Sequence, residues 1–232
     1  MMFDISKSVG CTERMNYLKR GFLFYMCSSC MLLVQFAIYL VNSNYWESLN
    51  FVGGFYYLMA ALGQAFLFNL IPWVILYIPF TWWRQMQKVG TILFSCAIFL
   101  LNVLAYLNGI VFQLYKFHIN GFVLDLAFGG GGNQVFVFNN TLILHGVLIG
   151  LLILLFTLAV VFIAYRYAWY VTSKQVKIGI YLFLFSCIAP QLTHAYAAAA
   201  NVNSIMEVSA CLPQYYPLTA NRLMLKLGVV KK

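Results

Sequence analysis

Five long apolar stretches, separated by short polar segments, define the hydrophobic pattern of this chain. Each is at least as long as the ~20 residues that a helix needs to cross the hydrocarbon core of a bilayer. We therefore predict five transmembrane helices, over residues 21–41, 51–80, 89–115, 141–165 and 178–200. The second stretch is longer than a bilayer requires and contains Pro72 and Pro79, so we expect it to tilt and to kink at Pro72.

Two shorter helices are predicted outside the spans. Residues 119–128 are mostly apolar and precede a run of four glycines, which indicates an interfacial helix or re-entrant turn followed by a hinge. Near the C-terminus, Pro213 and Pro217 prevent an upstream helix from continuing, because proline lacks a backbone N–H. We expect a new helix there with Thr219 as its N-cap and Gly228 in the left-handed conformation at its end.

The composition agrees with a membrane protein. The chain of 232 residues is 63% hydrophobic and 8% charged, whereas a soluble domain has roughly 25% charged residues. The predicted fold class is an all-α membrane protein, a bundle of five transmembrane helices with a short interfacial helix after the last span. Residues 1–200 would form the transmembrane domain, and residues 201–232 a juxtamembrane linker that contains the basic interfacial helix.

The distribution of positive charge predicts the orientation. The N-terminal segment and the loops after the second and fourth spans hold nine Lys and Arg residues, whereas the two opposite loops hold only Lys116. The positive-inside rule therefore places the N-terminus in the cytoplasm and the C-terminal tail outside.

The C-terminal tail is an exception to this rule, because it is basic on the side where cations are less expected. Arg222 and Lys226 lie four residues apart and share one face of the predicted helix, while Leu223 and Leu227 share a neighbouring face. Such a helix suits a membrane surface with anionic head groups. The alternative is a solvated tail with incidental charges.

Several polar residues lie near the outer ends of the last three spans, and polar groups inside a membrane often mark function. They are Asn108, Gln113, His118, His145, Gln191, Thr193 and His194. They would either bond helix to helix or line a cleft open to the outer interface. In both cases we expect His145 and His194 to approach each other or to share a polar group.

Catalytic and metal-binding motifs are not evident. No nucleophile is accompanied by a base and an orienting acid. The three histidines come from separate segments without ligand spacing, so we expect neither a metal nor another cofactor. Cys27 and Cys30 form a Cys-x-x-Cys within an apolar helix, where thiols act as small hydrophobic groups. Topology accounts for the basic charge, so no nucleic-acid partner is expected.

Three stretches carry a resemblance to a known family. The tail sequence Pro213-x-x-Tyr216-Pro217-x-Thr219-Ala220-x-Arg222, followed by Gly228, resembles the segment after the last span of the YejM (PbgA) inner-membrane proteins of Gram-negative bacteria. Residues 111–120 resemble that family's segment leaving span three. Residues 194–199 resemble its His-x-Trp-Ala-Asp-Ala stretch, and the resemblance covers essentially the whole chain.

This chain departs from the family pattern in three ways. Ala198 stands where the family has Asp, and Asn221 replaces the first of two adjacent arginines. The family also continues into a periplasmic domain of the alkaline phosphatase/sulfatase superfamily, whereas this sequence ends at Lys232. Because that hydrolase-like domain is absent, we expect no enzyme activity from this chain.

The resemblance implies a non-catalytic membrane domain that binds lipopolysaccharide through lipid A at the periplasmic leaflet. Such a domain regulates lipopolysaccharide synthesis and outer-membrane homeostasis through a membrane-anchored adaptor, and it resides in the inner membrane with its C-terminus in the periplasm. Lipid A and anionic phospholipid are the implied ligands. The implied lipid-binding residues are Pro217, Thr219, Ala220, Asn221, Arg222 and Lys226.

Two other functions remain open at this point. The chain could be the membrane anchor of a lipid-modifying enzyme similar to phosphoethanolamine transferases. It could also be a small transporter subunit, which would need polar residues continuing to the inner side of the membrane.

Overall fold

The computed structural model describes residues 2–47, 49–129, 140–226 and 228. Within these residues the chain is helical without strands, and five helical segments are long and apolar enough to cross a membrane. They are Thr12–Val41, Phe51–Thr81, Arg84–Tyr115, Ile143–Tyr170 and Ser173–Ala200. The predicted fold class of five spanning helices is confirmed.

The α-helices are numbered here in chain order. They are α1 (Met2–Val41), α2 (Phe51–Pro72), α3 (Gln87–Tyr115), α4 (Gly121–Phe128), α5 (Asn140–Tyr167), α6 (Ser173–Ala200), α7 (Asn203–Ser209) and α8 (Asn221–Lys226). The sequence pattern did not predict α7. It also placed the start of the first span at Gly21, whereas α1 continues through the polar N-terminal segment, because a helix satisfies its own backbone groups on either side of the interface.

Proline changes the helix type at the end of the second span. Since Pro72 has no N–H to donate, the α-helical bonding pattern stops there and Trp73–Tyr77 form a π-helical turn. A 3-10 turn, Ile78–Thr81, with Pro79 in its first positions, completes the span. At Pro72, where the sequence predicts a kink, the helix therefore changes from α to π geometry.

Helix α1 is the centre of the bundle, because it packs against α2, α3 and α5. Helix α2 also packs against α6, and the two are in close contact where Gly63 meets the backbone of Ser186. We call the end of the bundle where α1, α3 and α6 finish the tail face. The opposite end, which includes Arg20, Lys88 and Arg166, is called the basic face.

Reciprocal tyrosine contacts hold α1 to the end of span two near the basic face. The rings of Tyr17 and Tyr77 stack with centroids 4.1 Å apart. The hydroxyl of Tyr77 donates to the carbonyl of Tyr17 at 2.8 Å, and the hydroxyl of Tyr17 donates to the carbonyl of Tyr77 at 3.2 Å. Both hydroxyls are thus satisfied within an apolar cluster, as a membrane core requires.

Candidate functional site

The chain turns back over the tail face after the last span. Asn201 adopts a left-handed conformation with φ 56°, which ends α6 and lets α7 begin at Asn203. Residues 210–218, which we call the strap, follow α7 and have no regular helix. The side chains of Cys211, Leu212 and Pro213 are buried, so the strap is packed onto the bundle.

The first three N–H groups of the strap bond to carbonyls of α7, and side chains of the spans bond to the backbone farther along it. The amide of Gln64, inside α2, donates to the carbonyl of Pro213 at 3.1 Å. Nearer the tail face on the same helix, the hydroxyl of Tyr56 donates to that of Tyr215 at 3.4 Å. Helix α2 therefore holds the middle of the strap.

A chain of bonds fixes the beginning of the strap to the end of α3. The ring of His118 is 3.1 Å from the carbonyl of Ala210 through Nε2, and 2.9 Å from the amide nitrogen of Asn108 through Nδ1. A carbonyl can only accept, so Nε2 carries the proton and Nδ1 accepts from Asn108. The amide oxygen of Asn108 accepts from the backbone N–H of Ile119 at 2.7 Å, which also positions the start of α4. Burial lowers the pKa of His118, in agreement with this neutral ring.

Two residues of α6 grip the end of the strap. The side-chain oxygen of Gln191 accepts from the N–H of Leu218 at 2.7 Å. Nδ1 of His194 donates to the carbonyl of Leu218 at 3.0 Å. Both the N–H and the carbonyl of Leu218 are thus hydrogen-bonded, which fixes the position of the chain just before α8.

The basic helix α8 follows from this position and packs against α6. It begins at Asn221, since the N–H of Met224 bonds to the carbonyl of Ala220 at 2.9 Å. The N-cap position is therefore Ala220, and the expected cap by Thr219 is corrected by one residue. Gly228 has φ 67°, the left-handed conformation expected at the end of this helix, while Leu227 lies outside the described residues.

The polar groups of α8 face outward. Asn221, Arg222 and Lys226 are exposed, and Leu223 has 56% of its surface exposed. Among the described residues, the one ion pair is that of Arg84 with Glu13 at the basic face. Within that part of the chain, the cations of α8 have no carboxylate partner.

An apolar cavity of about 300 Å³ lies between α1, α2, α3, α4 and the strap. Its lining includes Phe36, Phe68, Leu104, Leu124, Pro213 and Gln214. Gln214 has φ 51°, so its backbone turns sharply where it borders the cavity. The strap is therefore one wall of the cavity as well as the connection to α8.

One comparison with known proteins identifies a family. The family model described as "Domain of unknown function (DUF3413)" matches residues 12–232. The chain belongs to the DUF3413 family. The matched residues include those of the strap and α8. No curated protein matches the chain.

In this DUF3413 domain, the polar residues that the sequence suggested as one cluster lie at separate places. Asn108 and His118 meet at the beginning of the strap, and Gln191 and His194 meet at its end. Gln113 is exposed at the end of α3 and is not part of either pair.

His145 also lies apart from both pairs. It is exposed on α5, which packs against α1 and α3, whereas His194 is on α6, which packs against α2. Within the described residues, no hydrogen bond joins the side chain of His145 to the others. The described contacts therefore do not join His145 to His194, and their expected approach stays a prediction.

The sequence pattern did not single out Gln64 or Tyr56. Gln64 is a polar residue in the middle of a span, which is the same signal that singled out Asn108. Tyr56 gave no such signal, since aromatic residues are common in every span of this chain. In the part of the chain that the structure describes, no group of three or more His, Cys, Asp or Glu side chains is placed to hold a metal ion.

Proposed function

We propose that this DUF3413 domain binds lipid A of lipopolysaccharide at the periplasmic leaflet of the Gram-negative inner membrane. In this proposal it is the membrane domain of a YejM (PbgA) protein, whose known N-terminal domain is DUF3413. The tail face is then periplasmic and the basic face cytoplasmic. This agrees with the nine Lys and Arg residues of the N-terminal segment and two loops.

The position of the cations on α8 is the observation that carries the proposal. Arg222 and Lys226 are exposed, one helical turn apart, at the face where lipid head groups would lie. An exposed arginine binds a phosphate strongly, because its guanidinium can donate two parallel hydrogen bonds. A glucosamine phosphate of lipid A supplies that group.

The apolar residues beside these cations support a lipid rather than a soluble anion. Leu218 and Leu223 have 58% and 56% of their surfaces exposed, although both are large apolar side chains. A lipid offers acyl chains next to its phosphate, so one ligand would cover both kinds of surface. A short segment connects the exposed leucines to the cations, and we propose that it contacts the same head group. Its residues are Pro217, Thr219, Ala220 and Asn221.

The way the strap is held supports a regulatory role. Because α8 is connected to Leu218, a lipid bound at α8 would act on the strap and its contacts with α6. We propose that a membrane-anchored adaptor reads this state and thereby controls lipopolysaccharide synthesis and outer-membrane homeostasis. The role proposed for this domain is binding and not catalysis.

The proposal is tested by the affinity for lipid A of the chain in nanodiscs of neutral phosphatidylethanolamine. Arg222→Ala removes one charge-assisted contact of roughly 1.5–3 kcal/mol and should weaken binding roughly 10- to 100-fold. Arg222→Lys should restore part of the affinity, because lysine cannot bind a phosphate bidentately. Asn221→Arg should tighten binding.

The matched control removes exposed cations from the basic face. Lys174→Ala combined with Lys177→Ala should leave the affinity within about twofold of the parent chain, since both residues lie at the other end of the bundle. If Arg222→Ala combined with Lys226→Ala binds lipid A as tightly as this control, α8 is not the lipid site.

A further inference from the structure

A second cavity lies between α3 and α5, in the half of the bundle next to the basic face. Its volume is about 490 Å³, larger than the cavity beneath the strap. Its lining begins at Lys88 and Tyr165 at the basic face and reaches Phe99 and Leu154 toward the middle of the spans. None of the contacts that hold the strap involve it.

The depth of this cavity is that of one bilayer leaflet. Lys88 and Phe99 are 11 residues apart on α3, and Leu154 and Tyr165 are also 11 apart on α5. At 1.5 Å rise per residue, each wall is ~16 Å long. Half of the ~30 Å hydrocarbon core is about the same length, so the cavity extends from the interface to the bilayer centre.

Below the level of Lys88 and Tyr165, three side-chain hydroxyls line the walls of the cavity. Thr91 donates to the carbonyl of Gln87 at 3.0 Å, and Ser95 donates to that of Thr91 at 2.7 Å. Thr157 donates to the carbonyl of Ile153 at 2.8 Å. Each hydroxyl is thus bonded within its own helix, and the surface that remains suits an acyl chain better than a polar solute.

The mouth of the cavity is positively charged. Lys88 is exposed there and has no ion-pair partner among the described residues. The guanidinium of Arg20 lies over the ring of Tyr165, 4.8 Å from its centroid, and brings a second cation to the same end. The two cations at the interface match the anionic head group of a lipid, and the apolar cavity below them matches its acyl chain.

We propose that this cavity holds an acyl chain of an anionic glycerophospholipid of the leaflet at the basic face, with its phosphate bound by Lys88 and Arg20. The site is separate from α8 and lies in the opposite leaflet. The inference therefore does not depend on lipid A binding at the tail face.

The test is native mass spectrometry of the whole chain, purified in detergent and titrated with phosphatidylglycerol. Cys96 is exposed and lines the cavity, so Cys96→Phe fills it without entering the core. Cys30→Phe is the matched control, because Cys30 is also an exposed thiol on a spanning helix but does not line the cavity. We expect Cys96→Phe to lose the tightly bound phosphatidylglycerol that the parent chain and Cys30→Phe retain.

The charge at the mouth is tested in the same titration. Lys88→Ala should weaken phosphatidylglycerol binding roughly fivefold, the effect of one cation near the surface, while Lys177→Ala should not. Zwitterionic phosphatidylethanolamine has an ammonium that offsets its phosphate, so Lys88→Ala should weaken its binding less than that of phosphatidylglycerol.

A second filling variant, Leu158→Phe, changes an exposed lining residue of α5 and covers the case in which Cys96→Phe does not fold. If a folded filling variant retains phosphatidylglycerol as the parent does, the proposal is overturned. It is also overturned if Lys88→Ala and Lys177→Ala weaken binding equally.

Discussion

Single side chains decide where the strap lies. Gln64 is buried inside the second span, and its amide is the donor that the carbonyl of Pro213 uses. In the apolar interior each of these groups would be costly without the other. The strap therefore stays on the bundle because its carbonyls accept hydrogen bonds there, and the side chain of its own residue Cys211 has no exposed surface.

Replacement of Gln64 should loosen the strap. Gln64→Leu leaves the carbonyl of Pro213 without its donor, at a cost of roughly 1–3 kcal/mol. Alkylation of Cys211 by N-ethylmaleimide, followed by peptide mass spectrometry, should then become roughly 5- to 100-fold faster. Gln113→Leu, at an exposed glutamine on α3, is the matched control and should leave the rate unchanged. Equal rates in both variants would show that Gln64 does not hold the strap.

The packing of α2 against α6 leaves no room for a side chain at Gly63. A Cβ added to Gly63 would lie 2.3 Å from the carbonyl oxygen of Ser186 and 2.8 Å from its carbonyl carbon. These are backbone atoms, so the helices would have to separate. Pro190 stands four residues after Ser186 and has no N–H to bond that carbonyl, which leaves it directed at the glycine.

Gly63→Ala should therefore destabilise the bundle by roughly 1–3 kcal/mol, the usual cost of overpacking. The measurement is thermal unfolding in detergent, where the variant should unfold at a lower temperature than the parent. Gly146→Ala is the matched control, because Gly146 is a helical glycine of α5 whose added Cβ would meet nothing within 4 Å. A Gly63→Ala chain as stable as Gly146→Ala would contradict the close approach of α2 and α6.

The orientation of the whole molecule is predicted from its charges. We expect a periplasm-dependent phosphatase reporter to be active when fused after Lys232 and silent when fused at Lys174. The reason is that Lys174 belongs to the cation-rich face, which the positive-inside rule assigns to the cytoplasm. Measured activities in the reverse order would invert the proposed topology and remove the periplasmic site.

Sequence pattern predicted the parts of the fold that local chemistry controls. The five spans, the short helix after Asn120 and the left-handed Gly228 all follow from hydrophobicity, capping and glycine geometry within a few residues. The path of the strap does not, because it depends on bonds to residues far away in the chain, such as Gln64 and His194. The polar residues near the tail face could also be recognised from the local sequence. Which of them hold the beginning of the strap and which hold its end depends on how the helices pack.

We propose that α8 contacts lipid A at the tail face, and covalent capture of the bound lipid measures this contact. A photoreactive amino acid is placed at Leu223, which is exposed on α8, or at Trp169, which is exposed near the basic face. Illumination of membranes from a Gram-negative host should give a lipid A adduct at position 223 and none at position 169, as read by mass spectrometry. Phospholipid adducts alone at position 223, with no lipid A, would show that α8 is not a lipid A site.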